Sequence, residues 1–560
     1  MINEAFDERA GAGEPLTLRA GPLTVVFENG ALHSLMAFGA EVWRGVMFLY
    51  RDAAWRTPPV VVRNLDVSAH ERSFRLAFDG VCSMTPSLTW HARVEGFDSG
   101  SVRFDVEARP DADLLTNRTG ICVLHPLSLA GARIEIEHTD GRLSHSTFPV
   151  QISPWQPFTN IRALRHEFLP DCWASCRVEG DVFEMEDQRN FSDASYKTYS
   201  GSNLRVKPYR LAPGDCVRQS AVLTLHPCAV PSRRRAAREP AIDVTTARDG
   251  RLPRLGLTYT REAAARGIAP GLWYVSIDGS GNQETLGERC RRIRDAAATS
   301  PVAVELLLHD ETQATQECRE LARQLALVGA TPESVAIFPT SPRSVSAARA
   351  SFPRSAIGGG VPWFFTHLNR AMLPGDLDFV AFRTCPIVHV ADDRSVMRTL
   401  STLPAIVATL HARDPHARMR VGPSSISMTV NPFGPWPEPV PDKPVAMARD
   451  DRRDDERFGL AWSVGYLAQF ASGGADVVSF FNPGIFTALP WLAPLAGASL
   501  RTLELSDDRV VALAIETPWG LEVLIVNSSE NALAVSIDIA EHGRSSRSIA
   551  AFDYARLTLP

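Results

Sequence analysis

No apolar stretch in this chain reaches about eighteen residues, so no membrane-spanning helix is expected. The opening, MINEAFDERAGAGEPL, carries acids where a secretory signal needs positive charge and an apolar run, which makes the cytoplasm the expected location. There is no basic surplus either: 58 Lys and Arg stand against 64 Asp and Glu, a formal net charge of −6. Without spare cations to meet phosphates, neither nucleic acid nor a membrane surface is an expected partner. Nine cysteines are scattered and odd in number, which suits free buried thiols better than a disulfide framework. The pair in CWASC has no second pair to complete a metal site. Also missing are the glycine-rich phosphate loops, a G-x-S-x-G nucleophile elbow and H-E-x-x-H, so nucleotide binding, serine hydrolase and zincin chemistry lack their usual signatures.

What is present is an ordinary globular composition, 45% hydrophobic and 22% charged, in 560 residues, enough for two or three domains. From residue 15 to about 228 short runs alternate apolar and polar residues and close on turn residues, as in LTVVFENG, SFRLAFDG, SVRFDVEARP and RQSAVLTLHP. Period-two patterning of this kind predicts a large antiparallel β-sandwich over residues 1–235. The segment PSRRRAAREPAIDVTTARDGR reads as a linker.

Beyond it the rhythm changes to eight short apolar runs separated by helix-like stretches: RLGLTYT, GLWYVSID, VAVELLLHD, SVAIFPTS, SAIGGGVPW, DFVAFRT, RMRVGPSS and ADVVSFFNP. Eight parallel strands close a TIM barrel, expected over residues 252–495. Alternation returns in 496–560, where strands are expected to complete a small sandwich. The fold class is therefore α/β plus all-β, with the Pro-rich NPFGPWPEPVPDKPV a loop before the helix at RFGLAWSVGYLAQF.

Barrel enzymes carry reactive groups where strands end, which singles out Asp310 after the third run, Trp363 and Asn369 after the fifth and His389 after the sixth. Asp310 and Asp392 also stand where capping acids belong. Retaining barrel glycosidases place carboxylates after the fourth and seventh strands, but here those runs end in IFPTS and VGPSS.

The densest chemistry lies outside the barrel, in FEMEDQRNFSDASYKTYSG, residues 183–201. Alternation puts Glu184 and Glu186 on one face of a strand, with Lys197 and Tyr199 alternating along a returning strand and Asp187 and Asp193 bracketing the turn. Neighbouring acids repel, which separates their proton affinities and suits one to acid and the other to base work. An exposed hairpin with solvated charges would show the same pattern.

This segment resembles the signature of the D-apionate lactonase family, bacterial enzymes of branched-pentose catabolism. The resemblance implies hydrolysis of D-apionolactone to D-apionate, with a small sugar lactone as the partner molecule, and it implies no cofactor; no metal ligands are singled out among the site residues. It leaves the oligomeric state open. Lactone opening needs a base for water, donors for the oxyanion and an acid for the departing ring oxygen. Glu186 or Asp187 is the expected base, Lys197 and Arg189 the oxyanion donors, and Glu184 or Asp193 the acid. Arg189, Asn190, Tyr199, Asp310, Trp363, Asn369 and His389 form the expected substrate-binding set. A glycoside hydrolase acting on apiose-like or furanose sugars is the alternative reading.

Overall fold

The structure is a computed structural model that describes residues 15–58, 60–82, 88–228, 239–278, 285–440, 443–481 and 483–560. The described residues divide into two compact units, one holding 15–189, 194–228 and 433–435, the other 190–193, 239–432 and 436–560. The acidic segment at the start and most of the basic stretch before residue 239 lie outside the described residues.

The first unit is the large antiparallel β-structure expected: among the described residues seventeen strands are linked by hydrogen bonds around a shared core. Alternation decides each strand's inner face. In Ser101–Pro110, Val102, Phe104, Val106 and Ala108 are buried, and they register against Gly96, Val94, Ala92 and Trp90 of Leu88–Phe97. Burying a column of such side chains on both strands stabilises the pair by roughly 1.5–3 kcal/mol per large apolar residue. Gly120 allows the sheet to close near the acidic hairpin. Its φ is +149°, and a Cβ there would lie 1.9 Å from Ser200 Oγ.

In the second unit the eight apolar runs are the eight parallel strands of a closed barrel, from Arg254–Thr258 through Leu272–Asp278, Val302–Leu307, Ser334–Phe338, Ala356–Phe364, Phe379–Arg383 and Met419–Ser424 to Val477–Phe480. Two of the barrel helices start on side-chain capping boxes. Thr285 and Ser341 each accept from the third backbone N–H of the helix they open, in reciprocal capping boxes. Helix Arg457–Ser472 is buried around most of its circumference, because it lies between barrel strands and the strands that follow.

Two expectations need correcting. Ala241–Arg251 is a strand and not linker: Ile242 and Val244 alternate inward, and the strand pairs antiparallel with Ser499–Leu505 and parallel with Leu533–Ile539 in a seven-stranded sheet. Asp243 between them and Arg248, Asp249 and Arg251 beyond them are exposed to solvent. Nor are all nine thiols free, since Cys172 and Cys228 form a disulfide with Cα atoms 5.2 Å apart, while the other seven are free.

Candidate active site

Residues 183–201 form the expected hairpin, from Phe183–Asp187 and Ser195–Ser200 joined by a 3-10 turn at Gln188–Phe191. Its register pairs Glu184 with Tyr199 and Glu186 with Lys197. Phe183, Met185 and Tyr196 enter the apolar core of the first unit. The opposite face is buried as well, so its charges are not those of an exposed hairpin. Each acid is answered by its own partners. Glu186 forms an ion pair with Lys197, whose ammonium burial pushes below its ordinary range. Glu184 accepts from Tyr199 Oη at 3.0 Å, from Asn203 N–H at 2.9 Å and from Ser202 Oγ. Burial, with the nearby Glu186 charge, drives the Tyr199 phenol well above its ordinary value, which keeps it a donor.

Asp187 and Arg189 serve differently from what their types suggested. Asp187 lies on the other face of its strand, fully buried, and takes the Arg189 Nε and Nη2 donors at 2.8 and 2.7 Å and the Ser153 N–H at 3.0 Å. Arg189 Nη1 and Nη2 also donate to the carbonyls of Val150 and Pro149 at 3.0 and 2.8 Å. Burial pulls the Asp187 carboxyl upward and the Arg189 guanidinium pulls it back. Such a pair clamps the turn. Its hydrogen-bonding capacity is already committed, so a base role for Asp187 and an oxyanion role for Arg189 do not fit this geometry.

The four turn residues Asn190–Asp193 belong to the barrel unit, and their contacts join four residues singled out in sequence: Asn190, Asp193, Asn369 and His389. Asp193 Oδ2 lies 2.6 Å from Nδ1 of His389, which is 196 residues away along the chain. The ring of Phe191 meets His389 edge-on at 4.9 Å between centroids, and Asn369 Nδ2 donates to Asn190 Oδ1 at 3.0 Å. Thr402 Oγ1 donates to the Ser192 carbonyl at 2.9 Å and fixes the turn's backbone. With Nδ1–H engaged by a carboxylate, the lone pair of the imidazole resides on Nε2, which is the arrangement that orients a histidine as a base.

The remaining barrel residues separate. Trp363 is 40% exposed and packs edge-on against His367 at 5.3 Å. Asp310 is occupied as a helix cap, accepting from Thr312 N–H at 2.9 Å and Oγ1 at 2.6 Å, and these bonds hold its carboxyl below the ordinary range. Asp392 caps Asp393–Arg398 in the same way through Ser395 N–H at 2.9 Å. Among the described residues no three His, Cys, Asp or Glu side chains gather in a way that would hold a metal ion.

One pair escaped the sequence reading. Glu305, inside the third barrel strand, forms a buried ion pair with Arg383 at the end of the sixth and accepts from Ser276 Oγ at 2.6 Å. An acid in the middle of the apolar run VAVELL was the available signal, because a lone carboxylate is rarely buried without a cation.

Most of the chain has counterparts among known proteins. The model of the D-apionate lactonase N-terminal domain matches residues 4–228, and that of the D-apionate lactonase TIM barrel domain matches residues 258–486. A D-apionate lactonase of Brucella anthropi is 32% identical over 95% of this chain and 95% of its own length. Among solved structures, a GH30 endoxylanase from Clostridium papyrosolvens C71 is similar at 8% identity and a TM-score of 0.37, over 56% of this chain and 98% of its own. A beta-arabinopyranosidase is similar at 10% identity and a TM-score of 0.34, over 97% and 98%. With both domain models matched in order and a relative aligned over nearly the full length, the chain belongs to the D-apionate lactonase family.

Proposed function

We propose that this chain hydrolyses D-apionolactone to D-apionate in branched-pentose catabolism, with His389 as general base and Asp193 as the group that orients it and stabilises its cation. The observation that carries the reading is the 2.6 Å contact between Asp193 Oδ2 and His389 Nδ1, because it joins the turn of the family's signature segment to a barrel residue. The family's name and the name of the Brucella anthropi relative supply the substrate.

In this scheme His389 Nε2 takes a proton from water as the oxygen adds to the lactone carbonyl. The resulting imidazolium sits against the Asp193 carboxylate. Collapse of the tetrahedral intermediate breaks the ring C–O bond, and the same proton passes to the departing ring oxygen. Lactone and water become one hydroxy acid, and the histidine returns neutral. Asn190 and Asn369, bound to each other at 3.0 Å, present amide groups suited to substrate hydroxyls.

The test is pH-stat and NMR measurement of ring opening on D-apionolactone and a panel of aldonolactones, with EDTA present and above the spontaneous rate. Acceleration on the apiose-derived lactone in chelator is expected. No acceleration on any lactone would sink the reading.

A further inference from the structure

Behind the hairpin, the first unit holds a group of cations that the scheme above does not use. Arg118, in strand Leu114–Pro126, is 5% exposed. Its guanidinium carbon lies 3.7 Å from the centroid of the Tyr199 ring and 5.7 Å from that of Trp55. Nη2 donates to Asn203 Oδ1 at 3.3 Å, and Nε is a buried donor with no acceptor among the described residues. Lys207 Nζ donates to the same Asn203 Oδ1 at 2.6 Å and lies 5.6 Å from the Trp55 ring. Neither cation has an ion pair among the described residues; Asn203 Oδ1 serves both, and Lys207 Nζ also reaches the Gly201 carbonyl at 3.4 Å.

The other charges facing them do not restore the balance. Glu184 is filled by Tyr199, Ser202 and Asn203, and Glu186 is paired with Lys197. Arg205, the fourth cation, stacks on the Tyr209 ring at 3.7 Å. Burial, then repulsion from Arg118, brings the Lys207 ammonium down to about 8. Two acids against four cations leave a positive excess, and a buried guanidinium short of acceptors is costly unless an anion completes it.

We infer that the face formed by Arg118, Lys207, Asn203 and Trp55 is a binding site for the carboxylate of a small polyhydroxy acid. A carboxylate offers two oxygens in one plane, the geometry a guanidinium and a neighbouring ammonium bridge best. Trp55 provides aromatic surface for the C–H face of a polyol, and the exposed Asn203 offers an amide to its hydroxyls. Trp55 and Lys207 are half-exposed, so the site opens to solvent. The choice of an aldonate rests on the lactonase reading, in which a neutral lactone becomes a carboxylate. The site thus takes the product's charge and not the substrate's.

Isothermal titration of the full-length protein with sodium D-apionate and sodium D-erythronate, with the neutral amide of each and inorganic phosphate as separate arms, tests this. The aldonates are expected to bind, more weakly as salt rises, and the amides not to bind. Lys207→Met and Arg118→Gln should each weaken aldonate binding by at least about tenfold. Lys207 is on the surface, so its variant remains informative if Arg118→Gln fails to fold. Aldonate binding that Lys207→Met leaves unchanged, absence of binding, or preference for phosphate would overturn the proposal. Lactone opening is assayed in parallel: a protein that binds aldonates through Lys207 but opens no lactone keeps this site and loses the lactonase reading, and the reverse result removes only the site.

Discussion

Replacing Asp193 by Asn changes one atom type and removes one charge, at a contact where the imidazole and carboxylate are 14% and 16% exposed. In the neutral ground state the loss is small, because an amide oxygen can still accept from Nδ1–H. During catalysis His389 becomes a cation. With charge centres roughly 4 Å apart at an effective dielectric near 20, the carboxylate stabilises that cation by about 4 kcal/mol. Partial exposure reduces this to about 3 kcal/mol, which corresponds to roughly a hundredfold loss in kcat/KM. The pH profile carries a second signature. Without the neighbouring negative charge the imidazole is easier to deprotonate, so the acid limb of the rate profile should move to lower pH in Asp193→Asn. The assay is pH-stat hydrolysis of the lactone from pH 5 to 8, corrected for spontaneous opening, with circular dichroism to verify the fold. His389→Gln should lose at least as much, and the double variant little more, since the two act as one unit. An Asp193→Asn enzyme with near-normal kcat/KM would refute the assignment. So would a large loss with the acid limb unmoved.

Three further outcomes follow from the first unit. Glu186→Gln leaves the buried Lys197 ammonium without its counter-charge and should destabilise the fold by about 3 kcal/mol in urea denaturation, while a change below about 1 kcal/mol would mean the pair is not desolvated. His166 is buried beside His125 and Phe148, with no hydrogen-bond partner among the described residues, and burial lowers its pKa from 6.5 to about 4. The unfolded chain therefore binds this proton first: stability is complete above pH 6.5 and falls as pH drops toward 4, by about 3 kcal/mol in total. His166→Phe should flatten that acid dependence, and an unchanged slope between pH 4.5 and 6.5 would contradict it. Cys228→Ser opens a loop of 56 residues and should cost about 4 kcal/mol in non-reducing buffer and nothing in reducing buffer, read as the difference between denaturation midpoints.

The sequence by itself determined the elements and their order. Whether a residue faces core or solvent within a strand is a local property with a period of two, so the alternating runs marked the strands of the first unit. Eight apolar runs with intervening helical stretches are in the same sense a count of barrel strands. The pairing of Glu186 with Lys197 was legible for the same reason, because a hairpin's register follows from its turn. The turn's own chemistry was less legible. Asp187 and Arg189 are only two residues apart, yet their commitment to each other depends on carbonyls from 149–150 that close around the guanidinium. Tertiary structure alone decided the rest. It made a strand of Ala241–Arg251, whose partner Ser499–Leu505 lies on the far side of the barrel sequence. It paired Cys172 with Cys228 and Glu305 with Arg383. It also set Asp193 against His389. Each of these contacts joins groups that no local periodicity relates, and their meeting is fixed only when the whole chain has closed around its cores.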